Sequence, residues 1–325
     1  MPPCPALTRR SLASLGLSAL AAPAFAQAPW PNRGLRFVVP FGVGGTADIV
    51  ARVVAQRLQD PLGQGVIVEN RTGGGGTIGT DHIAKSPPDG YSYIVVTSTQ
   101  TANETLVPGR PYDLLRDLAP VASLNLNHLA VVVHPSVPVQ TMPELLAYLR
   151  ANPGRVNCGN PGVGSGHHLA AELFRMRANV DVQHIPFRSS DQMRTAIVAG
   201  QVQMCFDPIP SMLETIRTGR VRAVGVTGPA RSPVLPEVGT VGDVIPGYEQ
   251  SIWVGLMAPA RTPPAILDRM NAEIGRILAD PAIREAQARS GGEAWATSRE
   301  AFGAFVTRDV AQLRDLITTA RIEAP

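Results

Sequence analysis

The chain has 325 residues, which is enough for two domains of ordinary size. Hydrophobic residues make up 44% and charged residues 17%, a composition typical of globular proteins and not of disordered chains. The formal net charge is +3, but two of the arginines precede residue 27, and Lys85 is the only lysine. Because the arginines are spread among acids and form no basic stripe, we predict no nucleic-acid partner.

The first 26 residues have the three parts of an export signal. Arg9 and Arg10 supply positive charge, the stretch 12–22 is apolar, and Ala24-Phe25-Ala26 fits the A-x-A site of signal peptidase. We therefore predict a signal peptide over 1–26, cleavage after Ala26 and a periplasmic mature protein. The paired arginines also resemble a twin-arginine motif, so general and twin-arginine export both stay open. No later run approaches the ~20 apolar residues of a membrane span.

From Leu35 onward, β-rich runs alternate with stretches of helical periodicity. The first part reads βαβαβ, which predicts a parallel sheet with ligands at the carboxyl ends of its strands. A second series predicts a second α/β lobe, and the last segment has too few strands for a lobe of its own and should pack on the first. The predicted strands span 35–40, 65–69, 91–97, 129–133, 156–158, 182–185, 202–206, 221–226 and 252–257, and the predicted helices 47–58, 78–85, 168–177, 192–198, 212–217, 264–278, 282–289 and 300–320.

A first glycine-rich turn joins the first predicted strand to the first predicted helix. It reads Pro40-Phe41-Gly42-Val43-Gly44-Gly45-Thr46-Ala47-Asp48. Glycines let a ligand approach the backbone, and free N–H groups at a helix start attract an anion. A carboxylate or phosphate would fit there; alternatively, the glycines only make a tight turn and Asp48 caps the helix.

The same turn also fits a dinucleotide-binding fingerprint. Gly42-x-Gly44-x-x-Ala47 matches G-x-G-x-x-G/A, and Glu69 ends the second strand, where a ribose-binding acid would stand. An exported NAD(P)-dependent oxidoreductase is therefore an alternative. Diffusible nicotinamide cofactors are not expected outside the cytoplasm, and no acid/base pair for hydride transfer is evident, so we predict no cofactor.

A second glycine-rich turn, 159–168, again lies between a strand and a helix. It offers a second anion cradle, in which Ser165 can donate its hydroxyl. It is not a hydrolase elbow, because the positions two residues either side of Ser165 are Val163 and His167. His167 and His168 point in different directions on a helix and no H-E-x-x-H is present, so we predict no metal site and a structural or capping role for His168.

Two further features lie at strand ends of the second lobe. Asp207 follows the run 202–206, so in a two-lobed protein it would face the cleft and could bind a ligand hydroxyl or amine, or cap the next turn. Cys158 and Cys205 each follow a short apolar run. An exported protein permits a disulfide between them, but we favour two buried free thiols, since free cysteine is a common core residue.

The motifs together resemble the Bug-type periplasmic solute-binding proteins of tripartite tricarboxylate transporters, over essentially the whole mature chain. The resemblance implies a type II periplasmic binding fold, a Venus flytrap of two α/β lobes with a ligand cleft between them. The implied lobes are 27–127 plus 253–325 and 128–252. The matching motifs are Val38-Val39-Pro40-Phe41, Gly44-Gly45-x-x-Asp48, Glu69-Asn70-Arg71, Gly74-x-Gly76-x-Ile78-Gly79, Asp89-Gly90-Tyr91, Tyr112-Asp113, Gly162-x-Gly164-Ser165-x-x-His168-Leu169, His184-x-Pro186-Phe187, Phe206-Asp207 and Trp253-x-Gly255-Leu256.

Members of this family clamp a small carboxylate between the two glycine-rich turns, largely through backbone N–H groups and water. The stretch Ser98–Asn103 departs from the family pattern, so that wall of the pocket is altered. With Asp207 from the strand-end argument, the predicted ligand-binding residues are Phe41, Gly42, Gly44, Gly45, Thr46, Ala47, Asp48, Thr99, Gln100, Gly164, Ser165, His168 and Asp207.

The resemblance implies a non-catalytic monomeric receptor that delivers its ligand to a membrane permease. The ligand is a dicarboxylate, tricarboxylate, acidic amino acid or aromatic acid. A sensor that presents its closed form to a signalling kinase is a weaker alternative. Asp48 raises a question about the ligand, because a carboxylate beside a carboxylate is unfavourable unless the ligand brings an ammonium or hydroxyl to it.

Overall fold

In the computed structural model, the described residues are 30–323, so the predicted signal peptide lies outside them. The strands are β1 (Leu35–Val39), β2 (Val66–Asn70), β3 (Ser92–Thr97), β4 (Leu118–Val133), β5 (Asn157–Asn160), β6 (Gln183–Pro186), β7 (Met204–Pro208), β8 (Arg222–Val226), β9 (Ser251–Pro259) and β10 (Glu293–Ala294). The helices are α1 (Thr46–Leu62), α2 (Thr77–Ala84), α3 (Ser98–Leu106), α4 (Leu114–Asp117), α5 (Met142–Ala151), α6 (Gly166–Ala178), α7 (Ser190–Val198), α8 (Ile209–Arg217), α9 (Pro264–Ala279), α10 (Pro281–Ser290) and α11 (Arg299–Ala320).

The strands form two sheets that share β4. The first sheet has the order β2-β1-β3-β9-β4-β10, and the second has the order β8-β4-β7-β5-β6. In the first sheet β1, β2 and β3 are parallel, as predicted, but β9 runs antiparallel to both β3 and β4. The parallel pairing predicted for the βαβαβ part is therefore confirmed, and the antiparallel pair of β9 and β4 extends this sheet. The reason for the antiparallel pairing is topological: β4 leaves the first lobe and β9 returns to it, so these two strands must run in opposite directions.

The long strand β4 carries the chain from the first sheet into the second. Its first part pairs with β9 up to His128, opposite Ser251, and its last part pairs with β7 and β8. Asn127 pairs with Ile252 in this ladder. The predicted lobe boundaries fall within this paired stretch, where both connections between the sheets lie side by side. The boundaries themselves stay predictions.

Each sheet is covered by apolar side chains on both faces. In the first lobe, α1 and α9 pack on one face, and Trp253 and Phe302 lie in the cluster on the other. Helices α9 and α11 therefore pack on the first sheet. A smaller cluster joins the lobes: Leu169 of α6 contacts an apolar group formed by α3 and α11, which includes Leu106 and Leu316. This contact fixes where the start of α6 lies relative to the first lobe.

The two cysteines lie on adjacent strands but face opposite sides of the sheet. Cys158 of β5 is paired in register with Met204, so Cys205 is opposite Gly159. Since successive side chains of a strand alternate between faces, Cys158 lies in one core cluster and Cys205 in the other. Both are buried free thiols. The disulfide is therefore excluded in this fold, and the preferred sequence interpretation is confirmed.

We expect both thiols to be inert in the folded protein. Burial raises the pKa of Cys158 to about 12 and the pKa of Cys205 well above its ordinary value, so neither supplies the reactive thiolate. Ellman's reagent should titrate them only after unfolding by denaturant, and the thermal midpoint should be the same with and without reductant. A midpoint that falls when reductant is added would contradict this assignment.

Candidate ligand-binding site

The first glycine-rich turn runs from the end of β1 to the start of α1. Gly44 has φ +85°, a left-handed conformation that favours glycine, and Gly42, Gly44 and Gly45 are exposed. The first helical hydrogen bond is donated by Ile49 N–H to the Gly45 carbonyl, so the three preceding N–H groups have no helical acceptor. With the positive end of a 17-residue helix behind them, these N–H groups have the geometry that favours an anion.

Asp48 lies under this turn and not on its surface. Its side chain is 2% exposed. The carboxylate accepts hydrogen bonds from Gly44 N–H (3.0 Å), Arg52 Nε (3.0 Å) and Asn70 Nδ2 (2.8 Å). Asn70 Nδ2 also donates to the Phe41 carbonyl (3.0 Å), and Arg52 Nη2 donates to Asn70 Oδ1 (2.8 Å). Asp48 therefore ties both ends of the turn to β2.

This network explains how a ligand carboxylate could lie near the carboxylate of Asp48. Burial by itself raises the pKa of Asp48, but the hydrogen bonds from Arg52, Gly44 and Asn70 outweigh it and lower the pKa below its ordinary value. Asp48 is thus ionised and paired with Arg52, and it needs no ammonium from a ligand. The side chain of Ala47 is also buried in the core, so its backbone N–H is the group it offers to the cleft.

The dinucleotide alternative depended on Glu69 as a free acid. In the structure, Glu69 Oε1 accepts from Arg71 Nε (3.0 Å) and Nη2 (2.8 Å), and Oε2 accepts from Arg36 Nη1 (3.4 Å). The hydrogen bonds from Arg71 are the main cause of a lowered pKa of Glu69. Both oxygens are engaged by arginines, which removes the acid that would hold a ribose hydroxyl.

The stretch Ser98–Asn103 is the first part of a helix, α3. Thr97 and Gln100 form a capping box: Gln100 Oε1 accepts from Thr97 N–H (2.8 Å), and Thr97 Oγ1 accepts from Thr99 N–H (3.2 Å). Gln100 is fully buried, and a Cβ added to Gly76 would stand 2.6 Å from its Nε2. Gln100 therefore shapes the cap and is not on the cleft surface, contrary to the prediction, whereas Thr99 is half-buried.

The second glycine-rich turn lies directly against the first lobe. Gly164 has φ +77°, and a Cβ there would stand 2.6 Å from Leu106 Cδ1 of α3. A Cβ on Gly166 would stand 2.8 Å from Ile252 Cγ1 and 3.0 Å from Ser98 Oγ. A larger residue at either position would force these neighbouring side chains to shift. The turn thus lies over the start of α3 and the returning strand β9, at the junction between the lobes.

Ser165 caps helix α6. Its Oγ accepts from His168 N–H (3.3 Å) and donates to the Gly162 carbonyl (2.7 Å). The hydroxyl is therefore used within the turn, as expected of an N-cap residue.

A groove of about 530 Å³ lies between the lobes. Thr46 of the first turn borders it, together with Asn127 and Ser211.

His168 is buried and supports the second turn from below. Its Nδ1 accepts a hydrogen bond from Gly164 N–H (3.4 Å), and its ring meets that of His184 edge to face at 4.9 Å. Burial, and then the neighbouring His184, lower the pKa of His168 to about 4, so the ring is neutral at pH 7. Burial would raise the pKa of Glu172, but the contact with His184 and the hydrogen bond from Arg175 lower it to about 2.

Asp207 is fully buried, and it is paired with Arg194 and in contact with His167 of its own lobe. It accepts from Arg194 Nε (2.7 Å) and Nη2 (3.3 Å), and it lies 2.9 Å from His167 Nε2. A ligand contact was predicted for Asp207, but its side chain has no exposed surface. The pair holds α7 and the start of α6 to the end of β7, so Asp207 positions the second turn.

Three residues of the candidate site were not predicted from the sequence: Arg52, Asn70 and Arg194. Arg52 follows Asp48 by four positions on α1, a spacing at which helical side chains meet, and this signal was available in the sequence. Asn70 lies within the motif Glu69-Asn70-Arg71, but nothing local shows that it reaches Phe41. The pairing of Arg194 with Asp207 depends on how α7 packs on the sheet.

Within residues 30–323, none of the helices combines the length and apolar character needed to cross a bilayer.

The family model described as "Tripartite tricarboxylate transporter family receptor" matches residues 50–322. Protein BugT of Bordetella pertussis is 36% identical over 289 residues, which cover 87% of this chain and 88% of BugT.

Solved structures give the same result. A Rhodopseudomonas palustris protein with adipate is 30% identical, with TM-score 0.83 over 91% of this chain and 100% of that one. MatC from the same organism, with bound malate, is 28% identical, with TM-score 0.79 over 89% of this chain and 100% of MatC. The predicted periplasmic binding fold and the predicted resemblance are confirmed. The chain belongs to the tripartite tricarboxylate transporter receptor family, a family of solute-binding proteins.

Proposed function

We propose that this protein is a non-catalytic periplasmic receptor that binds a small dicarboxylate between its two glycine-rich turns and delivers it to the permease of a tripartite transporter. The proposal includes export through the signal peptide over 1–26 and action as a monomer. The residues proposed to contact the ligand lie in the two turns and at the start of α3: Phe41, Gly42, Gly44, Gly45, Thr46, Ala47, Thr99, Gly164 and Ser165. Among them, Thr46 and Ala47 offer backbone N–H groups that have no helical acceptor.

The observation that carries the proposal is the neutralised carboxylate under the first turn. Asp48 is ionised, but Arg52, Asn70 and Gly44 N–H occupy its oxygens. The N–H groups that open α1 stay available for an anion. The first turn therefore presents donors outward and hides its acid, which favours a ligand carboxylate there.

The same logic narrows the class of ligand. An acidic amino acid brings an ammonium, which needs an acceptor with negative charge in the cleft. The two acids that sequence analysis offered for this purpose, Asp48 and Asp207, are each buried and paired with an arginine. We therefore favour a dicarboxylate without an ammonium group. The adipate and malate of the related structures are of this class.

A thermal-shift screen tests the proposal on the purified mature chain. The plate contains C4 to C6 dicarboxylates, citrate, aspartate, glutamate, an aromatic acid, NAD and NADP. A ligand at 100 times its Kd adds ~2.7 kcal/mol to the free energy of unfolding, which should raise the midpoint by several degrees. We expect this shift with one or more dicarboxylates, and calorimetry should then give a stoichiometry of one ligand per chain.

Other patterns of shift would contradict separate parts of the proposal. A shift with aspartate or glutamate and none with the dicarboxylates would refute the argument from Asp48 and Asp207, but leave a carboxylate receptor. A shift with NAD or NADP alone would refute the receptor and restore the dinucleotide alternative. Transport is tested separately, by loss of dicarboxylate uptake when the gene is deleted and its recovery when the gene is restored.

A further inference from the structure

Three side chains with metal-binding atoms lie together in the second lobe. His168 and Glu172 are four residues apart on α6, and His184 comes from β6. Their donor atoms all lie within 4.8 Å of one another. Glu172 Oε1 is 3.0 Å from His184 Nε2 and 3.9 Å from His168 Nε2. In a tetrahedral zinc site with bonds of about 2.0–2.1 Å, donor atoms lie about 3.4 Å apart, so this cluster is close to the required spacing.

His184 lacks the partners that a buried imidazole normally has. Both of its ring nitrogens are buried, and neither makes a hydrogen bond. Nε2 lies close to Glu172 Oε1 without the alignment of a hydrogen bond. Because nearly all buried polar side-chain atoms in native proteins have a partner, an Nδ1 without one and an Nε2 that meets Glu172 Oε1 in poor alignment point to a missing ligand. An ion between Nε2 and Oε1 would satisfy both groups at once.

The surroundings of the cluster fit a bound cation. Side chains four residues apart share one face of a helix, so α6 directs His168 and Glu172 to the same side. Arg175 Nε donates to Glu172 Oε2 (2.9 Å), which leaves Oε1 for the imidazoles. Hydrogen bonds of this kind from outside orient the ligands of many metal sites. The side chain of His184 is 16% exposed, against 5% and 9% for the other two, so an ion would enter from that side.

We propose that His168, Glu172 and His184 bind one Zn²⁺ ion. Two imidazole nitrogens and one carboxylate oxygen form a donor set that zinc commonly takes, with water in the fourth position. The site lies beneath the second turn: Nδ1 of His168 accepts from Gly164 N–H, and its Nε2 is the atom that lies near Glu172. It would fix α6 to β6 beneath the second turn.

The test is a zinc titration of tag-free protein that has first been dialysed against a chelator. Calorimetry should give a stoichiometry of one and micromolar or tighter affinity, and Co²⁺ should produce the visible absorption of a tetrahedral or five-coordinate site. His184→Gln should weaken zinc binding by more than the ~10–100-fold that loss of an outer partner costs. Glu172→Gln serves as a second variant. His134→Gln is the matched control, because His134 lies outside the cluster and bonds Ser136.

Circular dichroism and thermal midpoints will show that each variant is folded before its zinc affinity is compared. Absence of zinc binding by the folded wild-type protein at micromolar concentration would overturn the proposal and make the cluster an internal polar network. Wild-type zinc affinity in both His184→Gln and Glu172→Gln would also overturn it, because the ion would then bind elsewhere. Neither result bears on the carboxylate screen, so the two proposals fail independently.

Discussion

Replacing Asp207 by alanine should lower the free energy of unfolding by about 3–5 kcal/mol. Asp207 has no exposed surface and accepts two hydrogen bonds from Arg194, whose side chain is only 25% exposed. Removing one partner of a buried ion pair leaves the other charge uncompensated, which costs this much. His167 also loses its neighbour at 2.9 Å. Denaturant unfolding measures the change, and the thermal midpoint should fall by about 10 °C.

A second substitution distinguishes the effect of the uncompensated charge from the effect of the lost side-chain volume. Arg194→Met removes the cation that Asp207→Ala would strand, so the double variant should recover part of the stability that the single variant loses. Asp207→Asn keeps one acceptor oxygen and should lie between wild type and Asp207→Ala. If the free energy of unfolding of Asp207→Ala lies within about 0.5 kcal/mol of the wild-type value, as for an ordinary surface substitution, the ion pair does not hold this region.

Replacing Asp48 by alanine should weaken dicarboxylate binding by about 10–100-fold while the protein stays folded. The variant loses three hydrogen bonds that hold the first turn, each of which contributes about 1 kcal/mol, and the N–H groups at the start of α1 are then no longer preorganised. Arg52 is about half exposed, so its charge returns to water, unlike that of Arg194. Calorimetry gives the affinity, and denaturant unfolding should show a loss of about 1–3 kcal/mol.

The variant Arg52→Gln distinguishes a positioning role of Asp48 from direct contact with a ligand ammonium. Without Arg52, the negative charge of Asp48 is uncompensated beside the bound carboxylate, so dicarboxylate affinity should fall by about tenfold. If Asp48 instead contacts an ammonium, Arg52→Gln should strengthen the binding of aspartate or glutamate. Wild-type dicarboxylate affinity in Asp48→Ala would remove Asp48 from any role in the site.

Some elements could be predicted because their signals are local. The apolar runs that became β1 and β3 are continuously or nearly continuously buried, and the glycines of both turns lie where a left-handed or very close backbone is needed. Helix α5 was missed although its start had a local signal, since Thr141 accepts a hydrogen bond from Glu144 N–H. Helix α3 was missed because Ser98–Leu106 is rich in polar residues, some of which bond α11 and the segment Gly74–Gly76: Thr101 bonds Asp309, and Asn103 bonds the Gly75 carbonyl.

The first half of β4 was missed for a different reason. Pro120, Ser123, Asn125 and Asn127 interrupt its apolar pattern, so only the run 129–133 was predicted. These polar side chains are tolerated because β4 has two register shifts against β9 and because their partners come from the C-terminal segment. Ser123, for example, bonds Thr297 at 2.8 Å. A strand whose polar atoms are satisfied by residues more than 100 positions away cannot be recognised from its own composition.

The sequence by itself determined the two α/β lobes, the glycine-rich turns at strand ends and the family to which the chain belongs, because periodicity and turn chemistry act between near neighbours. Only the tertiary structure decided which charged side chains are paired with one another. It paired Asp48 with Asn70 and Asp207 with Arg194, and it brought Glu172 close to His184. It also turned Cys158 and Cys205 to opposite faces. These outcomes depend on contacts between side chains of different strands and helices, which sheet order and helix packing alone bring together.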